Sequence, residues 1–288
     1  MLQAEGLGAG SAVGWLGRNS PAMLAALLAC ARLGAVFVPL NRRLAAPELA
    51  AIAAHAGLSA LKHGPELAAL AAQVQVLIQA QAQPAVASID LADPIAPAPP
   101  GDVMRVYTRG TSGEPKAAVH SQSAMVANID IALAVPGLTT DDRVLAVLPL
   151  FPVAGLRIQV LSALAVGAAV NLQARFDPAA WLSDVAAWRP STSLLVPAVM
   201  QALPARPGWP AADLSSLWFV NSTSQVVPVA LIEAFHARGV PVAQVYGSTE
   251  TGPCSIALRP DEALKQVGSV GRPAPGVQLG LVGALGVG

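Results

Sequence analysis

The chain has 288 residues, of which 54% are hydrophobic and only 12% are charged, so it can bury one large core or two smaller ones. Seventeen basic and seventeen acidic residues cancel, which argues against nucleic acid or an anionic membrane surface as the principal partner. The two cysteines, Cys30 and Cys254, match no metal-ligand spacing and are interpreted as reduced, small hydrophobic residues of a cytoplasmic protein.

The first part of the chain alternates between strand-like and helix-like segments. A strand is predicted at Ala12–Leu16. Ser20 followed by Pro21 predicts an N-capped helix that runs to about Leu33. The next predicted elements are a strand, a helix and a strand, at Val36–Val38, Pro47–His55 and Val74–Ile78.

The longest apolar run, Pro21–Leu40, raises the question of a membrane span. It is long enough to cross a bilayer, and the mean hydropathy of the chain is +0.55. Arg32 lies near its middle, where a charge is costly in hydrocarbon, and Gly34 follows as a helix stop signal. We therefore favour a buried helix that leads into a short strand, and we expect no integral membrane contact.

Residues 81–101 contain five prolines among small residues and are predicted to be a linker. This divides the chain into a first subdomain, residues 1–80, and a second, residues 102–288. Strands are predicted in the second at Val103–Tyr107, Ala117–His120, Arg143–Leu148, Ala168–Leu172, Ser193–Val196, Leu217–Asn221 and Val242–Tyr246. Helices are predicted from Ser121 or Ser123 to Ala134, and at Leu156–Ala165, Pro178–Trp188 and Pro228–Arg238. Strands separated by helices indicate an α/β fold with layered, mostly parallel sheets and flanking helices.

Two loops rich in glycine and hydroxyl residues each follow a predicted strand, at Thr108–Lys116 and Tyr246–Gly252. Such loops can surround phosphate oxygens with N–H and O–H groups, and Lys116 adds a point charge. A turn of this composition is by itself more often only a turn. Since ligands of open α/β sheets bind beyond the carboxyl ends of strands, both loops could face one phosphate-bearing ligand. Glu250 would then add an oxygen ligand suited to Mg²⁺.

Four motifs resemble those of the adenylate-forming (AMP-binding) superfamily, which contains acyl-CoA synthetases, nonribosomal-peptide adenylation domains and luciferases. The family's phosphate loop, YTSGTTGxPKG, corresponds to Tyr107–Ala117, and its YGxTE motif corresponds to Tyr246–Glu250. The GxxGRPxPG segment corresponds to Gly268–Gly276, and the stretch NSPE…LGAVxVPLN resembles Asn19–Asn41. The four motifs occur in the family's order over nearly the whole chain.

The resemblance implies an acyl-CoA synthetase-like large domain that activates a small-molecule carboxylic acid with ATP and Mg²⁺. An acyl-adenylate and pyrophosphate form first, and a thiol, commonly that of coenzyme A, then takes the acyl group. The implied catalytic residues are Lys116, Thr249 and Glu250, with Thr249 touching the α-phosphate and Glu250 holding Mg²⁺. The implied nucleotide-binding residues lie in the phosphate loop, the adenine-contacting loop and the YGxTE motif: Thr108, Gly110, Thr111, Ser112, Gly113, Ser222, Thr223, Ser224, Tyr246, Gly247 and Ser248.

Several positions depart from the family pattern. Arg109 replaces a serine of the phosphate loop, Ala117 replaces a glycine, and Ser222-Thr223 replaces a glycine pair, so that side chains stand where backbone normally approaches the nucleotide. Pro152 stands where many acyl-CoA synthetases have histidine. The aspartate that pairs with the substrate ammonium in amino-acid-activating members is also absent. These differences favour an uncharged acyl or aryl acid.

The resemblance begins inside the family's first helix and stops soon after Gly276. A ribose-binding aspartate and a C-terminal lid domain with its catalytic lysine have no counterpart, so we expect an incomplete large domain with weak or absent adenylation. Two alternatives stay open: a catalytically inactive nucleotide- or acyl-binding remnant of the same fold, and a hydrophobic structural or membrane-associated protein. The sequence does not fix the acid, the acceptor thiol or the oligomeric state.

Overall fold

The computed structural model of the chain describes residues 2–82, 101–109, 115–280, 282–283 and 286–287. There are two compact units: Met1–Val126 with Pro149–Val153, and Ala127–Leu148 with Ala154–Gly288. This division differs from the expected subdomains at residues 1–80 and 102–288, because two strands that follow residue 101 complete the sheet of the first unit. Most of the predicted linker, residues 83–100, lies outside the described residues.

A five-stranded sheet forms the centre of the first unit. Its strands, β1 to β5, are Ala12–Leu16, Val36–Pro39, Leu58–His63, Asp102–Arg109 and Pro115–Ser121. They lie in the order β3-β1-β2-β4-β5, in which β1 to β4 are parallel and β5 is antiparallel to β4. Every residue of β1 and β2 is buried, as expected of parallel strands covered on both faces.

The helices of the first unit, α1 to α3, are Pro21–Leu33, Ala46–Ala56 and Ala68–Ala82. α1 begins as predicted, because Oγ of Ser20 accepts a hydrogen bond from the N–H of Met23 at 3.3 Å. It ends at Gly34, whose φ of 69° is the left-handed conformation that glycine adopts without strain. The apolar run Pro21–Leu40 is thus a helix followed by a strand. Among the residues that the structure describes, no helix is long and apolar enough to span a membrane.

Two predictions for the first unit are wrong or incomplete. The segment Val74–Ile78, predicted as a strand, lies within α3, where Ala71 and Val74 are both buried at the spacing of one helix face. β3 was not predicted, because its residues are only partly buried and it lies at the edge of the sheet, where apolar alternation is weak.

The second unit contains a seven-stranded sheet. Its strands, β6 to β12, are Arg143–Ala146, Ala169–Leu172, Thr192–Leu195, Phe219–Ser222, Val242–Ser248, Gly252–Ala257 and Arg272–Pro273. Their order is β12-β11-β10-β9-β8-β6-β7. Strands β6 to β10 are parallel to one another, β11 is antiparallel to β10, and β12 is antiparallel to β11. A two-stranded antiparallel sheet joins β13 and β14, Val282–Gly283 and Gly286–Val287. The strands predicted at Arg143–Leu148, Ala168–Leu172, Ser193–Val196, Leu217–Asn221 and Val242–Tyr246 are confirmed with small shifts of their ends.

The remaining helices, α4 to α8, are Gln122–Ala134, Leu161–Val166, Pro178–Trp188, Pro197–Ala202 and Val229–His236. Ser121 caps α4, since its Oγ accepts the N–H of Ala124 at 3.1 Å. A π-helix, Ala154–Val160, leads directly into α5 and occupies the first half of the helix predicted at Leu156–Ala165. The core of the second unit is centred on the fully buried Trp181 and Phe235.

The segment Pro149–Val153 belongs to the first unit although it follows β6 in the chain. A long-range hydrogen bond helps to hold this segment in place: Oδ1 of buried Asn19 accepts a hydrogen bond from the N–H of Leu150 at 2.9 Å. Asn19 opens the NSP motif noted in the sequence, so this motif both starts α1 and anchors a distant segment.

We expect Asn19→Ala to lower the free energy of unfolding by about 1–3 kcal/mol, because the buried N–H of Leu150 loses its acceptor. Denaturant unfolding followed by tryptophan fluorescence measures this loss. Asn41→Ala is the matched control, because among the described residues Oδ1 of Asn41 accepts a hydrogen bond only from an exposed N–H, that of Arg43 at 3.1 Å. It should cost less than about 0.5 kcal/mol, and equal losses in the two variants would contradict the assignment.

Candidate functional site

The first hydroxyl-rich loop connects β4 to β5 at the carboxyl end of β4. Thr108 lies opposite Lys116 in this antiparallel pair, and Arg109 lies opposite Pro115. Thr108 is half-buried, whereas Lys116 is exposed at the start of β5. The two strands predicted on either side of the loop are confirmed, and they pair with each other. The predicted residues Gly110, Thr111, Ser112 and Gly113 lie outside the described residues.

β4 is fixed immediately before this loop by Tyr107. Its hydroxyl lies 2.7 Å from Nδ1 of His55 on α2, and the two rings meet edge to face with their centroids 5.6 Å apart. Burial raises the pKa of Tyr107 to about 12, against the opposing charge of Arg105, so the phenol stays neutral at physiological pH. A rigid strand end therefore carries Thr108 into the loop.

The second loop connects β10 to β11 and carries the YGxTE motif. Tyr246, Gly247 and Ser248 form the end of β10, and Thr249 and Glu250 lie in the turn that follows. The hydroxyls of Ser248 and Thr251 lie 3.0 Å apart, and the N–H of Thr251 donates to Oγ of Ser248 at 3.1 Å. Thr251 Oγ1 also lies 3.3 Å from Oγ of Ser255 on β11. These bonds order the turn.

Gly247 is required at its position by a close approach of two backbones. A Cβ there would lie 2.5 Å from the carbonyl oxygen of Gly252 and 2.5 Å from the carbonyl carbon of Pro253. The pairing of β10 with β11 is also irregular between Tyr246 and Ser248, which indicates a local bulge that re-aims the strand end. The glycine of the motif is therefore explained by packing within the hairpin.

The predicted adenine-contacting loop follows β9, the parallel neighbour of β10. Ser222 and Thr223 are both buried, and Oγ of Ser222 has no hydrogen-bond partner among the described residues. Ser224 is exposed and has a φ of 77°, which is unusual for a residue with a side chain. Ser224, which follows the Ser222-Thr223 pair, thus has a conformation that glycine would adopt with less strain.

The structure places the loop after β9 and the loop after β10 at the same edge of the seven-stranded sheet. Val220 is paired with Val242 and Ser222 with Gln244, so β9 ends beside Gln244 and β10 runs four residues further, to Ser248. Thr223 and Ser224 therefore leave the sheet beside β10 at the point where its YGxTE residues begin. Thr108 and Lys116 belong to the sheet of the first unit, at the carboxyl end of β4.

Glu250 is exposed and forms no ion pair with any described residue. Within the described ranges, no three His, Cys, Asp or Glu side chains form a metal-binding group. Mg²⁺ in nucleotide sites takes one or two carboxylates and completes its shell with water and substrate phosphate oxygens. A single accessible carboxylate at a strand end fits that mode of binding and does not fit a metal site made of protein ligands alone.

The sequence reasoning missed several polar residues of the second unit. Arg157 and Gln159 are buried in the π-helix, and burial lowers the pKa of Arg157 to about 10. Nε2 of Gln159 donates to the carbonyl of Leu145 at 3.3 Å, and its Oε1 has no partner among the described residues. The sequence did contain a signal for these two residues, since an arginine and a glutamine lie inside a predicted helix that is otherwise mostly apolar. A π-helix often marks a functional position.

A second missed interaction joins β10 to the GxxGRP segment. Nε2 of Gln244 donates to the carbonyl of Ser269 at 2.8 Å, and Gln244 is buried. Within the segment, a Cβ at Gly271 would lie 2.0 Å from the carbonyl oxygen of Ala257. The GxxGRP motif thus packs against the strands that carry the YGxTE motif.

Comparison with known proteins identifies what this arrangement is similar to. The family described as AMP-binding enzyme matches residues 1–286. The indoleacetate–CoA ligase of Aromatoleum aromaticum is 41% identical over 98% of this chain, and a feruloyl-CoA synthase of an Amycolatopsis species is 38% identical over 99% of it. The chain spans only 58% of the length of each of these relatives.

Solved structures agree with this similarity. The N-terminal domain of FACL13 from Mycobacterium tuberculosis has a TM-score of 0.85 and 26% identity, covering 100% of this chain and 75% of that one. An anthranilate CoA ligase in complex with anthranoyl-AMP has a TM-score of 0.85 and 25% identity, covering 99% of this chain and 58% of that one. The predicted fold, an α/β acyl-CoA synthetase-like large domain with mostly parallel sheets, is confirmed.

We expect Gly247→Ala to destabilise the second unit by about 1–3 kcal/mol, because the added methyl group meets backbone atoms that cannot move independently. Thermal unfolding measures the change. Gly208→Ala is the control, since the φ of Gly208 is −76° and a methyl group added there would have a side-chain carbon, 3.9 Å away, as its nearest neighbour. If both variants unfold at the wild-type temperature, the close approach at Gly247 is not rigid.

We expect Ser224→Gly to stabilise the chain by roughly 1 kcal/mol, because glycine removes the steric cost of the left-handed conformation. Ser183→Gly, in the exposed interior of α6, should have the opposite sign and cost about 0.5–1 kcal/mol. Denaturant titration of both variants checks the pair of signs. A destabilised Ser224→Gly variant would show that the serine side chain contributes more than its backbone strain costs.

Proposed function

Because the chain belongs to the AMP-binding enzyme family, we propose that it takes part in the ATP-dependent activation of a carboxylic acid. The acid becomes an acyl-adenylate with release of pyrophosphate, and a thiol such as coenzyme A then takes the acyl group. The relatives with which it shares 41% and 38% identity are named as CoA ligases or synthases. Since the chain spans 58% of their length, the complete reaction is part of the proposal.

The observation that carries the proposal is the edge of the seven-stranded sheet. The intact motif Tyr246–Glu250 ends an interior parallel strand, and the loop Ser222–Ser224 ends its neighbour. Ligands of open parallel sheets bind beyond this edge. The buried hydroxyl of Ser222 has no hydrogen-bond partner among the described residues, and a ligand at this edge would supply one.

The physical task in this reaction is the neutralisation of charge, since the attacking carboxylate and the triphosphate repel each other. Lys116, Thr108 and the intervening loop would hold phosphate oxygens with a cation and with O–H and N–H donors. Thr249 would donate to the α-phosphate. Glu250 would hold Mg²⁺, which when bound lowers the charge of the phosphate oxygens. Tyr246 and Gly247 would lie against the adenine and the acyl group.

We assign the acid to the uncharged aryl or acyl class. The relatives cited above are named for indoleacetate and ferulate, and the anthranilate ligase is a structural neighbour. Pro152 supplies no charge for an ammonium group. A panel of aryl and aliphatic acids in an ATP–pyrophosphate exchange assay tests the assignment, and a preference for amino acids would contradict it.

A second candidate is a nucleotide- or acyl-binding chain without catalysis. It is favoured by the buried side chains of Ser222 and Thr223, which stand where the family pattern has a glycine pair. ATP binding by calorimetry together with no pyrophosphate exchange for any acid would support this candidate over the first.

Both cysteines support a reducing compartment, which we propose to be the cytoplasm. Cys30 and Cys254 are free and buried, and burial raises the pKa of each thiol to about 11. Thiols held in this way are protonated and unreactive at physiological pH.

We expect Glu250→Gln to weaken Mg²⁺-dependent ATP binding at least about 10-fold, because even loss of a supporting group costs a metal site this much. Calorimetric titration of ATP with and without Mg²⁺ separates the metal-dependent part. Glu233→Gln, an exposed glutamate on α8, is the charge-matched control. Equal affinities in the two variants would remove Glu250 from the proposed metal site.

A further inference from the structure

The order of strands in the seven-stranded sheet reverses between β6 and β8. The chain passes from β6 to β7 on one side of it and then returns to β8 on the other side, from which β9 and β10 continue outward. Ligands of open parallel sheets bind beyond the carboxyl ends of the strands at such a reversal, because the connections on its two sides lead in opposite directions. The carboxyl ends of β6 and β8 are therefore a second place in this unit where a ligand is expected.

The pairing of β6 with β8 stops early at this point. The two strands pair at Val144 with Thr192 and at Leu145 with Ser193, whereas β8 and β9 pair over four residues. Where the pairing stops, two side chains converge on the carbonyl oxygen of Leu145. Oγ of Ser193 donates to it at 2.7 Å, and Nε2 of Gln159 donates to it at 3.3 Å.

Gln159 is held through both its backbone and its side chain. It belongs to the π-helix Ala154–Val160, and its own carbonyl oxygen accepts a hydrogen bond from Oγ of Ser162 at 3.1 Å. Its side-chain amide is oriented by the bond to Leu145. Because a carbonyl oxygen can only accept, the NH2 group of the amide must face it, and Oε1 must point away from it.

Oε1 of Gln159 is thus a positioned acceptor that lacks a donor. Only 5% of the residue is exposed, and this oxygen has no hydrogen-bond partner in the part of the chain that the structure describes. A buried acceptor without a donor is costly, and an N–H or O–H group of a ligand would remove that cost.

The side chains that accompany Gln159 are mostly apolar. Ile158 and Val160 of the same π-helix are buried, and this helix contacts β8, whose Leu194 and Leu195 are buried as well. Sites for small organic ligands are lined mainly by such side chains, while a few polar groups fix the orientation of the ligand. An aryl ring suits these apolar neighbours, and Oε1 suits one donor on that ring.

The sheet relates this acceptor to the edge where the nucleotide is proposed to bind. Leu145 is in register with Ser193, and Ser193 is in register with Val220, so Ser222 lies two residues further along β9. Strand spacing and rise place Ser222 about 10 Å across the sheet and about 7 Å along the strands from Leu145. An acid whose ring is held by Gln159 can therefore direct its carboxylate toward the ends of β9 and β10.

We infer that Gln159 determines specificity for the acid, and that the acid is an aryl acid with an N–H or O–H donor on its ring. This inference rests on the proposed function and narrows the class of acid assigned there. Oε1 of Gln159 accepts a hydrogen bond from the ring donor. A ring without a donor leaves this oxygen buried and unpaired, so that such an acid binds more weakly.

The experiment is a calorimetric titration of the whole chain, with and without AMP, using two matched pairs of acids. Indole-3-acetic acid is compared with benzothiophene-3-acetic acid, in which sulfur replaces the ring N–H, and 4-hydroxycinnamic acid is compared with 4-fluorocinnamic acid. We expect the donor-bearing acid of at least one pair to bind about 10-fold more tightly than its partner. This comparison uses the wild-type chain alone, so it does not depend on the folding of a variant.

Gln159→Met keeps the length of the side chain and removes Oε1. In this variant we expect the preference within the pair to fall below about 2-fold, because the donor-bearing acid loses its acceptor. Gln201→Met, at an exposed position of α7 in the same unit, is the matched control and should keep the wild-type preference. Thermal unfolding of each variant confirms that it is folded.

Three outcomes would overturn the inference: the wild-type chain binds none of the four acids, it binds the two acids of each pair equally, or folded Gln159→Met keeps the wild-type preference. Failure of the proposed function would appear differently. In that case the wild-type chain would still prefer the donor-bearing acid but would show no ATP–pyrophosphate exchange with any acid.

Discussion

The parallel pairing of β9 with β10 is the interaction on which the candidate site depends. It sets Ser222, the last residue of β9, opposite Gln244, so that the loop after β9 starts beside the YGxTE residues of β10 and both polar loops lie at one edge of the sheet. A shift of β10 by one residue would turn each of its side chains to the opposite face of the sheet. Gln244 is held by its bond to Ser269, which ties the register to the GxxGRP segment. The loop after β9, the YGxTE motif and the GxxGRP segment are therefore structurally coupled.

The close packing of β10 on β11 gives this unit its rigidity. Gly247 allows the two backbones to approach, and the hydroxyls of Ser248, Thr251 and Ser255 bond to one another across the turn. Glu250 alone in this hairpin turn carries a charge, and it is left accessible. A fixed turn that presents one carboxylate is suited to sharing an ion with a ligand, because little conformational freedom remains to be lost on binding.

The sequence predicted much of this arrangement because its signals are local. A serine–proline pair gave the start of α1, and apolar runs gave the interior strands. What failed depends on tertiary context: Val74–Ile78 has an apolar run that fits a strand or a helix, and only its packing on the core of the first unit decides for the helix. The predicted site residues followed from motifs, whereas Arg157 belongs to no motif. Its burial in the π-helix is a property of the folded chain and could not be predicted from its sequence neighbours.

The central claim, that the ends of β9 and β10 bind the nucleotide, is tested most directly by amide hydrogen exchange of the whole chain with and without a non-hydrolysable ATP analogue and Mg²⁺. The account predicts slower exchange on binding in residues 222–225 and 246–252. Binding of the analogue with unchanged exchange in both segments would contradict it.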